Sequence, residues 1–391
     1  MLEKGKVDQL RELGLRLIDQ HKARVIIPAL EQNPGYWFGG GNIIQEKSGR
    51  ILICGRYRNA GDSTTGTGAG ERGLEFAIFE SKAITEEFSK ILSFSKKDLG
   101  HDSEIVSIEG GCLLQDAQSE GIELFISTEK RIAYPKHLIN FQKPGTGVWT
   151  VDLLRGTNAE SIDLGTIETI ASSREANTLH IKDPVAFHSA DGSTELLYCN
   201  HPFSWSSSNT GLTRRKKYED SFQHFSDSVL TRGNSWDVAC SRITERLQIP
   251  KIGSFAGIPN LSLYFYDGAE CLRSLDQNPQ AAKRPRGYSC EELGGLAWGW
   301  DDEFPKIHPI STEFPLFISP FSSTPISLFL CPLILYSIPF CFSLLPLPHR
   351  LRRSAARCGH GLAHAFKHQP FMRGVLVNDD KAVFAKMQES K

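Results

Sequence analysis

The sequence predicts an all-β protein built as a five-bladed β-propeller, and two observations lead to that fold. From about residue 34 to residue 315, short strand-like runs alternate with Gly, Asn, Asp, Ser and Pro, and hardly any stretch has a helical period. These runs recur in five clusters of roughly 56 residues, which is close to the length of one four-stranded blade with a long loop. We assign the propeller to residues 34–313 and keep a pair of β-sandwiches as the alternative.

The first 33 residues predict an amphipathic helix that docks on the propeller. Leu10, Leu13, Leu17 and Ile18 fall on one face at helical spacing. A stripe of this kind is usually buried against another element of a globular protein.

The N-terminus and the cysteines favour a reducing compartment. The chain is charged from its third residue and has no apolar core of the kind that a secretory signal needs. Its nine cysteines show neither close pairing nor zinc-ribbon spacing, and several lie inside predicted strands as small apolar residues. We therefore expect a cytoplasmic protein.

The charge balance excludes the partners that a strongly basic chain would bind. Lys plus Arg total 44 and Asp plus Glu total 45, so no overall positive field would attract nucleic acid or an anionic membrane. The run from Gly68 to Gly73 fits the dinucleotide pattern GxGxxG, but it leads into a strand instead of a helix. We expect no cofactor, no metal ion and no nucleic-acid partner, and the oligomeric state stays open.

Residues 180–213 predict a β-hairpin that carries an acid. Asp183 precedes Pro184, which lacks an N–H and disfavours a helical conformation for the residue before it. We expect Asp183 at the entrance of the first strand. Turn residues 190–193 then reverse the chain into a second strand, from Glu195 to Cys199.

The loop after this hairpin is typical of a carbohydrate site. Trp205 offers a flat ring for stacking on the apolar face of a sugar, while His201 and Asn209 supply donors and acceptors for hydroxyl groups. A purely structural loop could use the same residues to satisfy its own backbone. We predict that these three side chains contact a ligand.

Acidic residues start several of the strand clusters, and closing the clusters into a ring would bring these acids to one axial funnel. Glycosidic cleavage needs one carboxylic acid to protonate the leaving oxygen and a second carboxylate to attack or to activate water. The alternative is that acids at strand starts bond turn amides. The candidates are Glu109, Asp183, Asp237 and Glu292.

Two arginines accompany the acids. Arg56 and Arg58 occupy alternate positions of one predicted strand, so both side chains leave by the same face. We expect them to contact substrate hydroxyls or carboxylates, with simple surface ion pairing as the alternative.

These residues resemble the five-bladed propeller superfamily of arabinanases, levansucrases and invertases. The sequence Lys182-Asp183-Pro184 is similar to the basic-Asp-Pro motif that the superfamily carries on an inner strand. Trp37 and Asn42 stand at the first blade of the predicted propeller. The resemblance covers roughly residues 34–315, and its motifs are short.

The resemblance implies three acidic roles. Members of the superfamily use a base or nucleophile Asp from the first blade, a positioning Asp in the basic-Asp-Pro motif and an acid Glu from a later blade. Of these three acids, only the positioning Asp can be assigned by a sequence motif, and it corresponds to Asp183. Residues 40–42, Gly-Gly-Asn, stand at the expected first-blade position, so Glu109 or Asp62 would have to supply that carboxylate.

Residues 314–348 depart from the strand pattern. Of these 35 residues, 27 are Phe, Ser, Pro or Leu, and none is charged. The segment is long enough to span a bilayer, but Pro332, Pro339 and Pro346 would interrupt a membrane helix. We interpret it as a translated pyrimidine-rich tract outside the fold, with a membrane anchor or a low-complexity insert as alternatives. Residues 349–391 include strand-like sequence that could close the last blade.

Together these patterns predict a cytoplasmic glycoside hydrolase that acts on a small or partly degraded glycan through carboxylate acid/base chemistry. One alternative is a non-catalytic carbohydrate-binding propeller. A second is a sialidase-type exo-glycosidase. The expected partner is a carbohydrate in each case.

Overall fold

The structure is a computed structural model that describes residues 1–18, 24–31, 36–58, 75–100, 102–116, 121–165, 167–270, 293–318 and 374–377. Within these ranges the chain is an all-β propeller with one N-terminal α-helix, α1 (Lys4–Leu17). None of the helices in these ranges is long and apolar enough to cross a membrane.

Four antiparallel blades follow one another along the chain, after the short strand β1 (Arg24–Pro28). Blade 1 contains β2 (Trp37–Gly39), β3 (Ile43–Gln45), β4 (Ile51–Arg58), β5 (Glu75–Ser81) and β6 (Ser89–Ser95). Blade 2 contains β7 (Ile105–Gln115), β8 (Ile122–Lys130), β9 (Val148–Gly156) and β10 (Glu168–Ala171). Blade 3 contains β11 (His180–His188), β12 (Thr194–His201), β13 (Asn209–Arg215) and β14 (Gln223–Ser226).

Blade 4 contains β15 (Cys240–Gln248), β16 (Leu261–Ala269), β17 (Leu293–Trp300), β18 (His308–Pro309) and β19 (Phe317–Ile318). The last strand, β20 (Gly374–Val377), pairs antiparallel with β1. Single turns of 3-10 helix connect the strands at Ile139–Phe141, Ala159–Ser161, Ala176–Thr178, Gly253–Phe255 and Asp301–Glu303.

The blades pack face to face because successive side chains of a strand point to opposite faces of its sheet. In β8, Ile126 belongs to the core shared with blade 1, whereas its neighbour Phe125 belongs to the core shared with blade 3. In β16, Tyr264 and Tyr266 lie in the core between blades 3 and 4. All four side chains are almost fully buried.

The two remaining blade faces are covered by the N-terminal region. Leu10 and Leu13 of α1 pack against blade 4, in one core with Leu263 of β16. Ile27 of β1 packs against blade 1, in one core with Ile53 of β4. The predicted amphipathic helix and its buried face are therefore confirmed.

The prediction of five blades is wrong: the described residues form four blades and the separate two-stranded sheet β1–β20. The faces that a fifth blade would cover on blades 4 and 1 are covered by α1 and β1. Counting strand clusters could not show this, because alternation in a sequence does not reveal what packs on each face of a sheet.

The sheet β1–β20 joins residues near the start of the chain to residues near its end. Val25 lies opposite Leu376 in this antiparallel pair. Most of the apolar segment 314–348 lies outside the described residues, so its interpretation stays a prediction. Its first residues reach β19, whose Phe317 lies opposite Gly294 of β17.

The inner strands are irregular where they approach one another. Strands β7, β11 and β15 are edge strands of their sheets, β11 contacts both of the others, and β7 also contacts blade 1. Each of these three strands contains a β-bulge, which bends the strand and redirects its side chains. The register shifts between Ile108 and Gly111, between Lys182 and Val185, and between Ile243 and Glu245, while residues 40–42 separate β2 from β3.

Candidate functional site

Asp183 lies at the bulge of β11 in a left-handed backbone conformation, with φ of 57°. Few residues other than Gly adopt this conformation, and Asp and Asn tolerate it best. The strand begins at His180, so Asp183 lies inside the strand and not at the predicted entrance. Pro184 donates no ladder hydrogen bond, which fits the bulge. The rest of the predicted hairpin is confirmed, since β11 pairs with β12.

The Asp183 carboxylate is held by neighbours yet accessible. Its Oδ2 accepts a hydrogen bond from the Cys199 thiol at 3.2 Å and lies 3.7 Å from Nη1 of Arg242. The side chain nevertheless keeps 41% of its surface exposed. Burial raises the pKa of this carboxyl, but Lys182 and Arg242 outweigh burial and lower it overall. Asp183 is therefore ionised at neutral pH.

Glu109 lies at the bulge of β7, directly before the residue that packs against Asp183. It forms an ion pair with Arg56 of blade 1 and accepts a hydrogen bond from Ser107 at 3.1 Å. The following residue, Gly110, packs so closely that an added Cβ would lie 3.0 Å from Oδ1 of Asp183. The structure thus brings Glu109, Asp183 and Arg56 together, although Glu109 itself is only 6% exposed.

Gly40 and Gly41 of the first-blade position have little room for a side chain. Gly40 adopts φ of 73°, and a Cβ there would lie 3.3 Å from Nε of Arg56. A Cβ on Gly41 would overlap the carbonyl oxygen of Cys54. The guanidinium of Arg56 therefore lies beside the place where the superfamily resemblance implies an acid.

Asn42, predicted as a ligand contact, uses its amide to join blades 1 and 2. Its Oδ1 accepts a hydrogen bond from the backbone N–H of Leu113 at 2.8 Å, and its Nδ2 donates to the carbonyl of Leu113 at 2.9 Å. The thiol of Cys54 also donates to Oδ1, at 3.3 Å. The amide is thereby occupied within the protein.

Glu245 is a further candidate that the sequence patterns did not indicate. It lies at the bulge of β15, the inner strand of blade 4, and its Oε1 accepts a hydrogen bond from the backbone N–H of Arg246 at 2.9 Å. Burial raises the pKa of Glu245 to about 8, against the opposing effects of that hydrogen bond and of the Arg246 charge. Glu245 is therefore largely protonated at neutral pH, while Asp183 is ionised.

The strand boundary explains the miss. Asp237 was predicted at the start of a strand, but β15 begins at Cys240. Asp237 consequently lies in the preceding loop, where its Oδ2 accepts a hydrogen bond from the Tyr266 hydroxyl at 3.1 Å. Burial raises the pKa of Asp237. Asp237 therefore lies beside the core between blades 3 and 4 and not at the bulge of an inner strand.

Three other sequence candidates are described only in part or not at all. Glu292 and Asp62 lie outside the described residues. Trp37 lies opposite Arg58 in the register of β2 and β4, but only the backbone of Trp37 is described. The Arg58 side chain is partly buried.

A cluster of rings lies between blades 2 and 3. His180 stacks on Trp205 with ring centroids 4.0 Å apart, and His201 lies 4.8 Å from the same indole. The Lys182 ammonium lies 5.3 Å from the centroid of Trp205 and 5.8 Å from that of Trp149. The indole expected to stack on a sugar is therefore already covered on one face by His180.

The polar residues of this region are largely bonded to one another. Nδ1 of His201 donates to the carbonyl of Ser207 at 3.0 Å, and the Asn209 amide lies within 3.5 Å of Asn200. Burial lowers the pKa of His180 to about 3 and lowers that of His201 well below its usual range, so both rings are neutral. Over the described ranges, no group of three or more His, Cys, Asp and Glu side chains is placed to hold a metal ion.

Several solved structures are similar to this chain. One described as a glycoside hydrolase superposes with a TM-score of 0.51 at 13% identity, covering 82% of this chain and 84% of the other. An endo-arabinase from Bacteroides thetaiotaomicron gives 0.41 at 10% identity, covering 73% and 82%. A GH43_1 enzyme from Xanthomonas citri, complexed with xylotriose, gives 0.40 at 8% identity, covering 77% and 78%. No protein-family model and no curated protein matches the chain.

The likeness to the first of these structures shows that the chain shares the fold of that protein. At 13% identity it shows the fold alone.

Proposed function

We propose that the protein is a glycoside hydrolase whose acid/base pair lies on the inner strands of blades 3 and 4. The carrying observation is that two carboxyl groups at neighbouring bulges, Glu245 and Asp183, have pKa values displaced in opposite directions. Environments that separate two carboxyl pKa values in this way assign one group as the acid and the other as the charged partner.

Glu245 is the proton donor in this proposal. A carboxylic acid that keeps its proton at neutral pH can protonate the leaving glycosidic oxygen. Asp183 is the charged partner: it is ionised, exposed to 41%, and can stabilise the positive charge that develops on the sugar ring. Glu109 is paired with Arg56, and we assign it to holding that arginine beside Gly40.

The second candidate is a non-catalytic carbohydrate-binding propeller. It is favoured by residues 40–42, where Gly40 and Gly41 have little room for a side chain and the Asn42 amide is bonded to Leu113 in place of the carboxylate that the superfamily resemblance implies. Glu109 also forms an ion pair with Arg56, and its side chain is only 8% exposed to solvent. Binding without turnover would then be expected.

A screen of chromogenic and unactivated glycosides with matched variants separates the two candidates. Glu245→Gln is expected to lower kcat by about 100- to 10,000-fold, the usual contribution of a general acid. The loss will be largest for glycosides with poorly acidic leaving groups, which depend most on protonation. Asp183→Asn is expected to abolish turnover while sugar binding persists.

Glu219→Gln, on an exposed side chain, serves as the control and is expected to retain wild-type turnover. If the wild-type protein binds sugars but hydrolyses none of them, the binding-module candidate is correct. If Glu245→Gln hydrolyses both kinds of glycoside at the wild-type rate, the assignment of the acid is wrong.

A further inference from the structure

The ammonium of Lys182 occupies an unusual place beside the proposed site. Lys182 immediately precedes Asp183 on β11. Its ammonium lies within 6 Å of two indole ring centroids, those of Trp149 and Trp205. Trp149 belongs to blade 2 and Trp205 to the loop after β12, so the ammonium lies between two blades. The negative faces of aromatic rings attract a cation at this distance, so the two indoles stabilise the charged ammonium.

The neighbouring cations, Arg56 and Arg242, each bond directly to a carboxylate, whereas Lys182 bonds to none among the residues that the structure describes. Arg56 pairs directly with Glu109, and Nη2 of Arg242 donates to Asp267 at 3.0 Å. Across the described ranges, no acceptor lies within hydrogen-bond distance of the Lys182 ammonium. Since an ammonium carries three N–H donors, indole faces alone leave its hydrogen-bonding capacity unused.

Lys182 is nevertheless protonated at neutral pH. Burial lowers its pKa, but Asp183, Cys199 and Glu109 outweigh that effect and raise the pKa overall. The Lys182 side chain is only partly buried.

We propose that Lys182 selects a sugar that carries a carboxylate, so that the preferred ligand is a uronic acid or a glycan ending in one. The carboxylate would accept the charge-assisted hydrogen bonds that Lys182 can donate, while the sugar ring lies beside the partly exposed Trp205. This inference rests on the proposed function, because it names the ligand class of the same site.

The test compares matched pairs of methyl glycosides that differ only by a carboxylate in place of the exocyclic hydroxymethyl group, such as methyl glucuronide with methyl glucoside and methyl galacturonide with methyl galactoside. Binding to the full-length protein is measured by calorimetry at two salt concentrations. We expect at least one uronide to bind about tenfold or more tightly than its neutral partner, and salt to weaken that preference.

Three variants identify the source of the preference. Lys182→Met keeps the length of the side chain and removes its charge, so the preference is expected to disappear while the neutral glycoside still binds. Lys182→Arg keeps the charge and is expected to retain part of the preference. Lys216→Met, at a side chain that is 71% exposed, is expected to behave like the wild type.

The outcomes separate the two proposals. Equal binding of both members of every pair, or a preference that survives in Lys182→Met, overturns the inference and leaves the proposed function standing. Absence of binding to every uronide and every neutral glycoside contradicts both.

Discussion

Asn42 and Leu113 are joined by two hydrogen bonds, one in each direction, so that a side chain of blade 1 completes the backbone bonding of the inner strand of blade 2. The pairing occurs where residues 40–42 interrupt the inner strand of blade 1. An amide has one acceptor and two donor hydrogens, and this arrangement uses both kinds of group.

Replacing Asn42 is therefore expected to destabilise the contact between blades 1 and 2. Asn42→Ala leaves the N–H and C=O of Leu113 without partners, which costs about 1–3 kcal/mol for a buried group. Chemical denaturation measures the change. Asn177→Ala, at an exposed position, is expected to change stability by less than about 0.5 kcal/mol. Equal stability of the two variants would contradict a structural role for Asn42.

The close backbone packing at Gly41 predicts intolerance of any side chain. In Gly41→Ala the new methyl group would overlap the Cys54 carbonyl, and a backbone atom cannot move away as a flexible side chain can. We expect loss of soluble folded protein or a large fall in thermal midpoint. Gly257→Ala is the control, since nothing lies within 4 Å of the added methyl group. A normally folded Gly41→Ala protein would show that the backbone around residue 41 can accept a side chain.

The raised pKa of Glu245 predicts a pH-dependent loss of stability. A carboxyl group that binds its proton more tightly in the folded than in the unfolded state stabilises the fold fully below its unfolded pKa, and that contribution is lost as pH rises through the folded pKa. With a usual value of 4.5 and a folded value of about 8, the loss falls between these limits.

Urea denaturation midpoints measured from pH 4.5 to pH 8.5 check this sign. We expect the difference in stability between wild type and Glu245→Gln to change steadily in favour of the variant as pH rises. The exposed Glu219→Gln variant is expected to follow the wild type throughout. Parallel curves for wild type and Glu245→Gln would mean that Glu245 has an ordinary pKa in the folded protein.

The packing of α1 on blade 4 predicts that the helix contributes to stability. Leu10 is fully buried against the blade, so Leu10→Ala removes apolar contacts and leaves a cavity, at a cost of about 2–5 kcal/mol. Leu15→Ala on the same helix is the control, because Leu15 is 45% exposed. Guanidinium denaturation compares the two. A loss in Leu10→Ala no larger than that in Leu15→Ala would show that α1 is dispensable for the fold.

Local patterns in the sequence determined the elements whose structure depends on spacing along the chain. The helical spacing of Leu10, Leu13 and Leu17 predicted α1 and its buried face, because residues three and four apart share one side of a helix. Alternation and turn residues predicted the hairpin of β11 and β12 for a similar reason, and they placed the resemblance-bearing Asp183 on it.

Only the tertiary structure decided the number of blades and the membership of the site. Asp237 and Glu245 are eight residues apart on one run, and which of them meets the inner-strand bulge depends on where β15 begins. Likewise, Trp205 is covered by His180 instead of standing free. Strand boundaries, bulges and ring stacking depend on contacts between residues distant in sequence, and a period along the chain carries no record of those contacts.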